Sequence, residues 1–188
     1  MKIAFIGTHG VGKTTLCFDL ASHLKRLDLS VDLVKEVARR CPLPINQDTT
    51  FDAQAWIFHT QIAEEIDAAS RFEAVICDRS VLDNYAYLVH RVGERREFEA
   101  TLQEWIRTYD GLFWVPIQAR PSFDGTRDTS ELFQREIDEI LADLVKRFDV
   151  QAHELPAGRR DSWVVEVLRA MSLPLEPPQY QLFDDASE

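Results

Sequence analysis

The stretch Ile3-Ala4-Phe5-Ile6-Gly7-Thr8-His9-Gly10-Val11-Gly12-Lys13-Thr14-Thr15 decides the fold of this chain. Its apolar start predicts a short buried strand, and its last residue opens a helical pattern. The residues between them match G-x-x-x-x-G-K-[ST], a glycine-rich loop whose backbone N–H groups face phosphates. The helix that follows adds the positive end of its dipole. In this motif the lysine reaches the β- and γ-phosphates, and the last hydroxyl ligates Mg²⁺.

The loop is therefore predicted to bind a nucleoside triphosphate. The alternative is a glycine-rich turn that ends in Lys-Thr by chance, which the complete motif and its flanking elements disfavour. The predicted nucleotide-binding residues are Gly7, Thr8, His9, Gly10, Val11, Gly12, Lys13, Thr14 and Thr15.

Length and composition restrict the class of protein. The chain has 188 residues, 45% hydrophobic and 28% charged, as expected for a single globular domain. A net charge of −11 disfavours sequence-independent binding to nucleic acid and favours small substrates.

No apolar run is long enough to span a bilayer, and we expect no signal peptide because the first strand starts at once. Cys17, Cys41 and Cys77 form no C-x-x-C pair, which is consistent with a reducing cytoplasm.

Strand and helix patterns alternate along the rest of the chain. The predicted strands are 3–6, 30–35, 74–77, 112–116 and 150–155. The predicted helices are 14–29, a long helix capped by Thr50 or Asp52 and ending near Arg71, then 81–92, 94–109, 130–148, and a last helix from Asp161 to Met171. We expect a three-layer α/β/α P-loop NTPase with a five-stranded parallel sheet and a lid segment. Residues 1–171 form the predicted domain, and 172–188 a proline-containing acidic tail.

Candidate active-site residues follow two of the predicted strands, at the sheet edge where α/β proteins bind ligands. Glu36 and Arg39 come after the second strand. Asp78 closes the third strand, where a carboxylate downstream of a phosphate loop is typical of a Mg²⁺ site shared with the loop hydroxyl of Thr14. The alternative for Asp78 is a strand-end turn residue. Arg79 is its neighbour.

Two further candidates lie on the next predicted helix. Asp83 and Tyr87 are four residues apart, so both side chains can face the strand ends. Farther along, the polar segment from Arg120 to Asp128 occupies the place of a lid, where arginines neutralise a transferring phosphoryl group. Arg127 is the stronger lid candidate, and ordinary surface charge is the alternative for both arginines.

These motifs together resemble a known group of proteins. The phosphate loop, Glu36-Val37-Ala38-Arg39, Asp78 to Asn84 and Asp124-Gly125-Thr126-Arg127 are similar to AAA-domain ATPases akin to the ribosylnicotinamide kinase domain of the NAD-biosynthesis regulator NadR. Asp78-Arg79-Ser80 also resembles the D/E-R-S/Y triplet of deoxynucleoside and thymidylate kinases. The resemblance covers roughly residues 1 to 170.

The resemblance implies ATP·Mg²⁺ binding and phosphoryl transfer to a nucleoside-like hydroxyl. It implies that Lys13, Glu36, Asp78 and Arg127 are catalytic, and that Thr14 and Asp78 hold the metal. Substrate would contact Glu36, Arg39, Arg79, Asp83 and Tyr87. This chain departs from the family in its base site, for which Trp56, Tyr85 and Tyr87 are the candidate aromatic residues.

Two other classes of protein remain open from the sequence. One is a regulatory switch NTPase that works through a protein partner. The other is a nucleic-acid-associated ATPase or 5′-kinase, which the net charge disfavours. Gln179 to Phe183 resembles the Q-x-x-L-F peptide that docks on the bacterial sliding clamp, so a partner of that kind is possible through the tail. Oligomers are also possible, and the sequence does not identify the phosphate acceptor.

Overall fold

The computed structural model describes residues 1–45, 48–117 and 131–176. Five parallel strands form one sheet in the order β2-β3-β1-β4-β5. The strands are β1 Lys2–Ile6, β2 Val31–Val34, β3 Ala74–Asp78, β4 Gly111–Trp114 and β5 His153–Glu154. The predicted five-stranded parallel sheet is confirmed, with shorter second, fourth and fifth strands than the apolar runs indicate.

Within the described residues, six α-helices cover the sheet. They are α1 Lys13–Arg26, α2 Phe51–Ala69, α3 Val81–Val92, α4 Arg96–Ile106, α5 Glu131–Arg147 and α6 Trp163–Ala170, with 3₁₀ turns at Val37–Arg40 and Arg160–Ser162. Thr50 caps α2 by accepting a hydrogen bond from the Ala53 N–H. Of the two predicted caps, Thr50 and Asp52, the first is therefore confirmed. The predicted Asp161 cap is wrong: that residue lies inside the second 3₁₀ turn, and α6 begins at Trp163 without a side-chain cap.

The alternation of side chains along β1 divides the core into two halves. Ile3 and Phe5 pack with α1 and α6, whereas Ala4 and Ile6 face α2, α3, α4 and α5. Every residue of β1 is buried, because a central parallel strand is covered by helices on both faces. The predicted three-layer arrangement is therefore confirmed.

A buried polar network joins the amino end of β1 to α2 and α4. The Glu65 carboxylate is fully buried and accepts hydrogen bonds from Lys2 Nζ at 2.9 Å, Trp105 Nε1 at 2.7 Å and the Tyr109 hydroxyl at 2.7 Å. Gln61 donates to the same carboxylate and to the Arg79 carbonyl oxygen at 3.2 Å. The network therefore extends from the start of β1 to the residue after β3.

Some predictions fall on parts of the chain that the structure does not describe. Arg120 and Arg127 lie outside the described residues, as does the Gln179–Phe183 peptide. Their predicted roles stay predictions, and so does the boundary of the tail. Among the helices in the described ranges, none combines the length and the apolar character that crossing a membrane requires.

Candidate active site

The candidate site lies at the carboxyl edge of the sheet, where β1, β2 and β3 end. The phosphate loop connects Ile6 to the first residue of α1, Lys13. Gly7 has a φ of +134°, and a Cβ built on it would lie 2.7 Å from the Val115 carbonyl oxygen. Only glycine fits this position, because a side chain would meet both backbone strain and a backbone atom.

A carboxylate from α3 holds the start of the loop. Asp83 is 1% exposed, and its Oδ1 accepts a hydrogen bond from the Gly7 N–H at 2.9 Å. Its Oδ2 accepts from the Ser80 N–H and hydroxyl at 2.9 Å each, which completes a capping box for α3. Burial raises the pKa of Asp83, and the charges of Lys13 and Arg79 oppose that shift.

The lysine of the loop folds back onto its own backbone. Lys13 Nζ donates hydrogen bonds of 2.6 Å to the carbonyl oxygens of Gly7 and Thr8. Burial is the main reason why the pKa of Lys13 falls to about 8, and repulsion from Arg79 adds to the shift. The ammonium group is thus desolvated before any anion arrives, which strengthens its interaction with a bound phosphate.

A hydroxyl and a carboxylate meet beside the lysine. Thr14 Oγ1 donates a 2.6 Å hydrogen bond to Asp78 Oδ2, and Asp78 is 3% exposed. These hard oxygen donors suit Mg²⁺, and their placement matches the hydroxyl and carboxylate of P-loop metal sites. In the described ranges, no group of three His, Cys, Asp or Glu side chains is arranged to hold a metal.

Glu36 lies between two arginines. Its Oε1 accepts from Arg79 Nε and its Oε2 from Arg39 Nε, both at 2.9 Å. Glu36 is 8% exposed and Arg79 4%. The carboxylate is therefore fixed in orientation and compensated in charge, as a buried anion must be.

Arg79 holds an unusual backbone conformation. Its φ is +105°, a value that costs a bulky residue free energy unless its surroundings enforce it. Gln61 holds its carbonyl oxygen, and Tyr87 receives a 3.3 Å hydrogen bond from Nη2 while its ring lies 4.8 Å from the guanidinium. Arg79 Nη1 is buried and has no hydrogen-bond partner among the described residues.

These groups share one cavity of about 590 Å³. It is lined by Gly10, Val11, Gly12, Lys13, Thr14, Thr15, Glu36, Arg39, Asp78, Arg79 and Arg160. The predicted phosphate-loop, metal and acceptor-side residues therefore come together. Five of the predicted site residues in the described ranges do not line this cavity: Gly7, Thr8, His9, Asp83 and Tyr87. Neither are Trp56 and Tyr85, the other candidates for a base site.

Arg160 lines the cavity, although the sequence does not predict this. The pair Arg159-Arg160 is typical of charged residues on a solvent-exposed surface. The Arg160 guanidinium lies against the phosphate loop: a Cβ built on Gly12 would be 2.8 Å from its Nη2 and 2.9 Å from its Cζ. Within the described part of the chain it has no carboxylate partner closer than 4.0 Å. The sequence feature that could have pointed to Arg160 is a positively charged residue in the loop after the fifth predicted strand. This feature is common on protein surfaces and is therefore a weak signal.

Comparisons with known proteins place this geometry in a family. Residues 2–162 match the family model described as an AAA domain. The chain belongs to this family. No curated protein matches the sequence.

Solved structures share the fold at low identity. Thymidylate kinase from Ehrlichia chaffeensis is similar with a TM-score of 0.66 and 19% identity, covering 91% of this chain and 98% of that one. Deoxyadenosine kinase from M. mycoides, with products dCMP and dCDP bound, is similar with a TM-score of 0.63 and 16% identity, covering 92% and 99%. The same kinase with bound dATP is similar with a TM-score of 0.61 and 16% identity, and the match covers 92% of this chain and 100% of that one. The protein therefore has the P-loop kinase fold.

The lowered pKa of Lys13 predicts proton-linked binding of ATP. Phosphate oxygens favour the ammonium form, so binding raises the pKa from about 8 and, above that pH, takes up a proton from solution. We expect calorimetry in two buffers of different ionisation enthalpy to show uptake approaching about one proton near pH 9 and little near neutral pH.

Lys13→Arg is the control for this effect, because guanidinium stays protonated over the whole range. The variant should bind ATP without the alkaline proton uptake. Equal uptake in the two proteins would show that another group titrates.

The position of Arg160 predicts a contribution to ATP affinity. Arg160→Ala should raise the dissociation constant of ATP·Mg²⁺ roughly fivefold to tenfold, because a charge-assisted contact to the nucleotide is lost. The loss should shrink at high salt, since Arg160 is exposed. Arg159→Ala changes the neighbouring exposed arginine and should keep the dissociation constant of ATP·Mg²⁺ within about twofold of the parent value. An equal effect of the two substitutions would remove Arg160 from the nucleotide site.

Proposed function

We propose that the protein transfers a phosphoryl group from ATP, bound with Mg²⁺, to a hydroxyl of a nucleoside-like small molecule. One observation carries the proposal: the phosphate loop, the Thr14–Asp78 pair and the arginine-flanked Glu36 line the same cavity. Phosphoryl transfer needs little covalent chemistry from a protein, and it depends on positioning and on compensation of charge. This cavity is suited to both.

On the donor side, the loop residues from Gly7 to Thr15 hold the triphosphate. Lys13 leaves the Gly7 and Thr8 carbonyl oxygens and turns to the β- and γ-phosphates, where its charge is worth most because it is buried. Thr14 and Asp78 would hold the metal, which would supply positive charge that neutralises the phosphates. Arg160 adds a cation at the open side of the loop.

On the acceptor side, Glu36 orients the attacking hydroxyl and accepts its proton. The hydroxyl oxygen forms a bond to the γ-phosphorus, the bond from that phosphorus to the bridging oxygen breaks, and ADP leaves. Arg39 and Arg79 keep Glu36 in place and supply positive charge where negative charge gathers. Arg127 is proposed to act from the lid segment.

Asp83 and Tyr87 take part indirectly in this scheme. Unlike Glu36, neither residue lines the cavity. Asp83 accepts hydrogen bonds from the Gly7 and Ser80 N–H groups, and the Tyr87 hydroxyl lies 3.3 Å from Nη2 of Arg79. We therefore assign them to holding the phosphate loop and Arg79. Direct contact with substrate, which the sequence predicts, is a weaker proposal for these two residues.

The acceptor is proposed to be nucleoside-like because proteins of the same fold are a thymidylate kinase and a deoxyadenosine kinase. Ribosylnicotinamide, the substrate of the group that the motifs resemble, belongs to this chemical class. A cytoplasmic location, an oligomeric state and a protein partner at Gln179–Phe183 stay predictions from the sequence.

A thermal-shift panel tests the proposal. The protein with ATP·Mg²⁺ is heated with nucleosides, nucleoside monophosphates and ribosylnicotinamide in turn, since an acceptor that binds the folded state raises Tm by mass action. The acceptor that raises Tm should also accelerate ADP formation many-fold over ATP alone. Slow hydrolysis unaffected by every small molecule would favour a switch NTPase. Salt-dependent binding of oligonucleotides would favour a nucleic-acid enzyme.

Glu36→Gln separates the acceptor side from the donor side. With the acceptor identified by the panel, turnover should fall at least about a hundredfold, since general-base catalysis contributes on this scale. The dissociation constant of ATP should change by less than about threefold, because Glu36 is assigned to the hydroxyl. An equal loss of ATP binding would give Glu36 a structural role.

A further inference from the structure

The phosphate loop has a second support, from the helix α5 that packs beside α3. Gln134 lies in the first turns of α5 and is 2% exposed. Its Nε2 donates a 2.8 Å hydrogen bond to the carbonyl oxygen of His9, in the middle of the loop. A buried glutamine satisfied by a loop carbonyl oxygen is costly to disturb, because either group alone would be left without a partner.

This contact orients the peptide unit between His9 and Gly10. A trans peptide is planar, so its C=O and its N–H point in opposite directions. Because the His9 carbonyl oxygen points to α5, the Gly10 N–H points away from α5. Gly10 lines the cavity of the site, and its φ of +76° is one that glycine adopts readily. The hydrogen bond therefore keeps one potential phosphate donor from turning towards α5.

The side chain of His9 supports the same arrangement. Its ring lies 5.4 Å from the ring of Phe133, the neighbour of Gln134 on α5. Its Nδ1 is 3.3 Å from the Tyr87 hydroxyl of α3, and His9 is 4% exposed. Both the backbone and the side chain of His9 are thus held by the helices behind the loop, which leaves the opposite face of the loop to the cavity.

We propose that Gln134 is a positioning residue for the triphosphate: it fixes the His9–Gly10 peptide so that the Gly10 N–H is directed to a phosphate oxygen. The inference rests on the proposed function, since it concerns the same nucleotide site. It assigns to α5 a part in nucleotide affinity that no feature of the G-x-x-x-x-G-K-[ST] pattern indicates. A glutamine that only attached α5 to the body would affect stability and leave affinity unchanged.

The test uses Gln134→Met, which keeps the length of the side chain and removes its N–H donor. Its match is Gln54→Met on α2, because Gln54 is 5% exposed and its Nε2 donates to Thr49 Oγ1 at 2.8 Å. In the described ranges Gln54 makes no hydrogen bond to the phosphate loop. Affinities for ATP·Mg²⁺ and for tripolyphosphate·Mg²⁺ are measured by calorimetry on the full chain, with Tm recorded for each protein. Gln134→Asn, one methylene shorter, repeats the test if the first variant does not fold.

We expect Gln134→Met to raise the dissociation constants of both ligands by the same factor, about tenfold. The factor should be the same because the lost interaction is with the phosphates, which both ligands carry, and not with the base. Gln54→Met should lower Tm comparably and keep the parent affinity. The inference is overturned if the Gln134 variants bind like the parent, or lose no more affinity than their Gln54 counterparts. If the parent itself binds neither ligand, the proposed function fails as well, so the two failures are distinguishable.

Discussion

The hydrogen bond from the Gly7 N–H to the buried Asp83 carboxylate is the contact on which the rest of the site depends. An anion-binding loop must hold its N–H groups in place while no anion is present, although those groups gain hydrogen bonds by turning inward. Asp83 prevents such a turn at Gly7, because its carboxylate accepts a hydrogen bond from the Gly7 N–H at the start of the loop. The same carboxylate caps α3, so the loop and the helix behind it are fixed together.

The charge of the site is opposite to the charge of the protein. The chain carries a net charge of −11, yet the cavity is lined by four cationic side chains, Lys13, Arg39, Arg79 and Arg160, and by two carboxylates, Glu36 and Asp78. A small anion that reaches the cavity is attracted locally, whereas a long polyanion meets repulsion from the rest of the surface. This distribution is physically consistent with a nucleotide ligand.

Arg79 shows how the acceptor side is stabilised. Its left-handed backbone is unfavourable for a bulky side chain, and contacts from three elements offset the cost: Gln61 of α2, Tyr87 of α3 and Glu36 after β2. Gln61 also belongs to the buried network around Glu65. The orientation of Glu36 is therefore connected, through Arg79, to a part of the core that lies far from the cavity.

The sequence by itself determined the phosphate loop, the alternation of strands and helices, and the strand ends that carry Glu36 and Asp78. These features depend on local patterns: glycine spacing, the apolar period and strand termini that meet at one sheet edge. Only the tertiary structure decided which distant groups support them. Gln134 and His9 are 125 residues apart, and Arg160 reaches Gly12 from beyond the last strand. Such contacts follow from how the helices pack on the sheet, and no local pattern in the chain contains that packing.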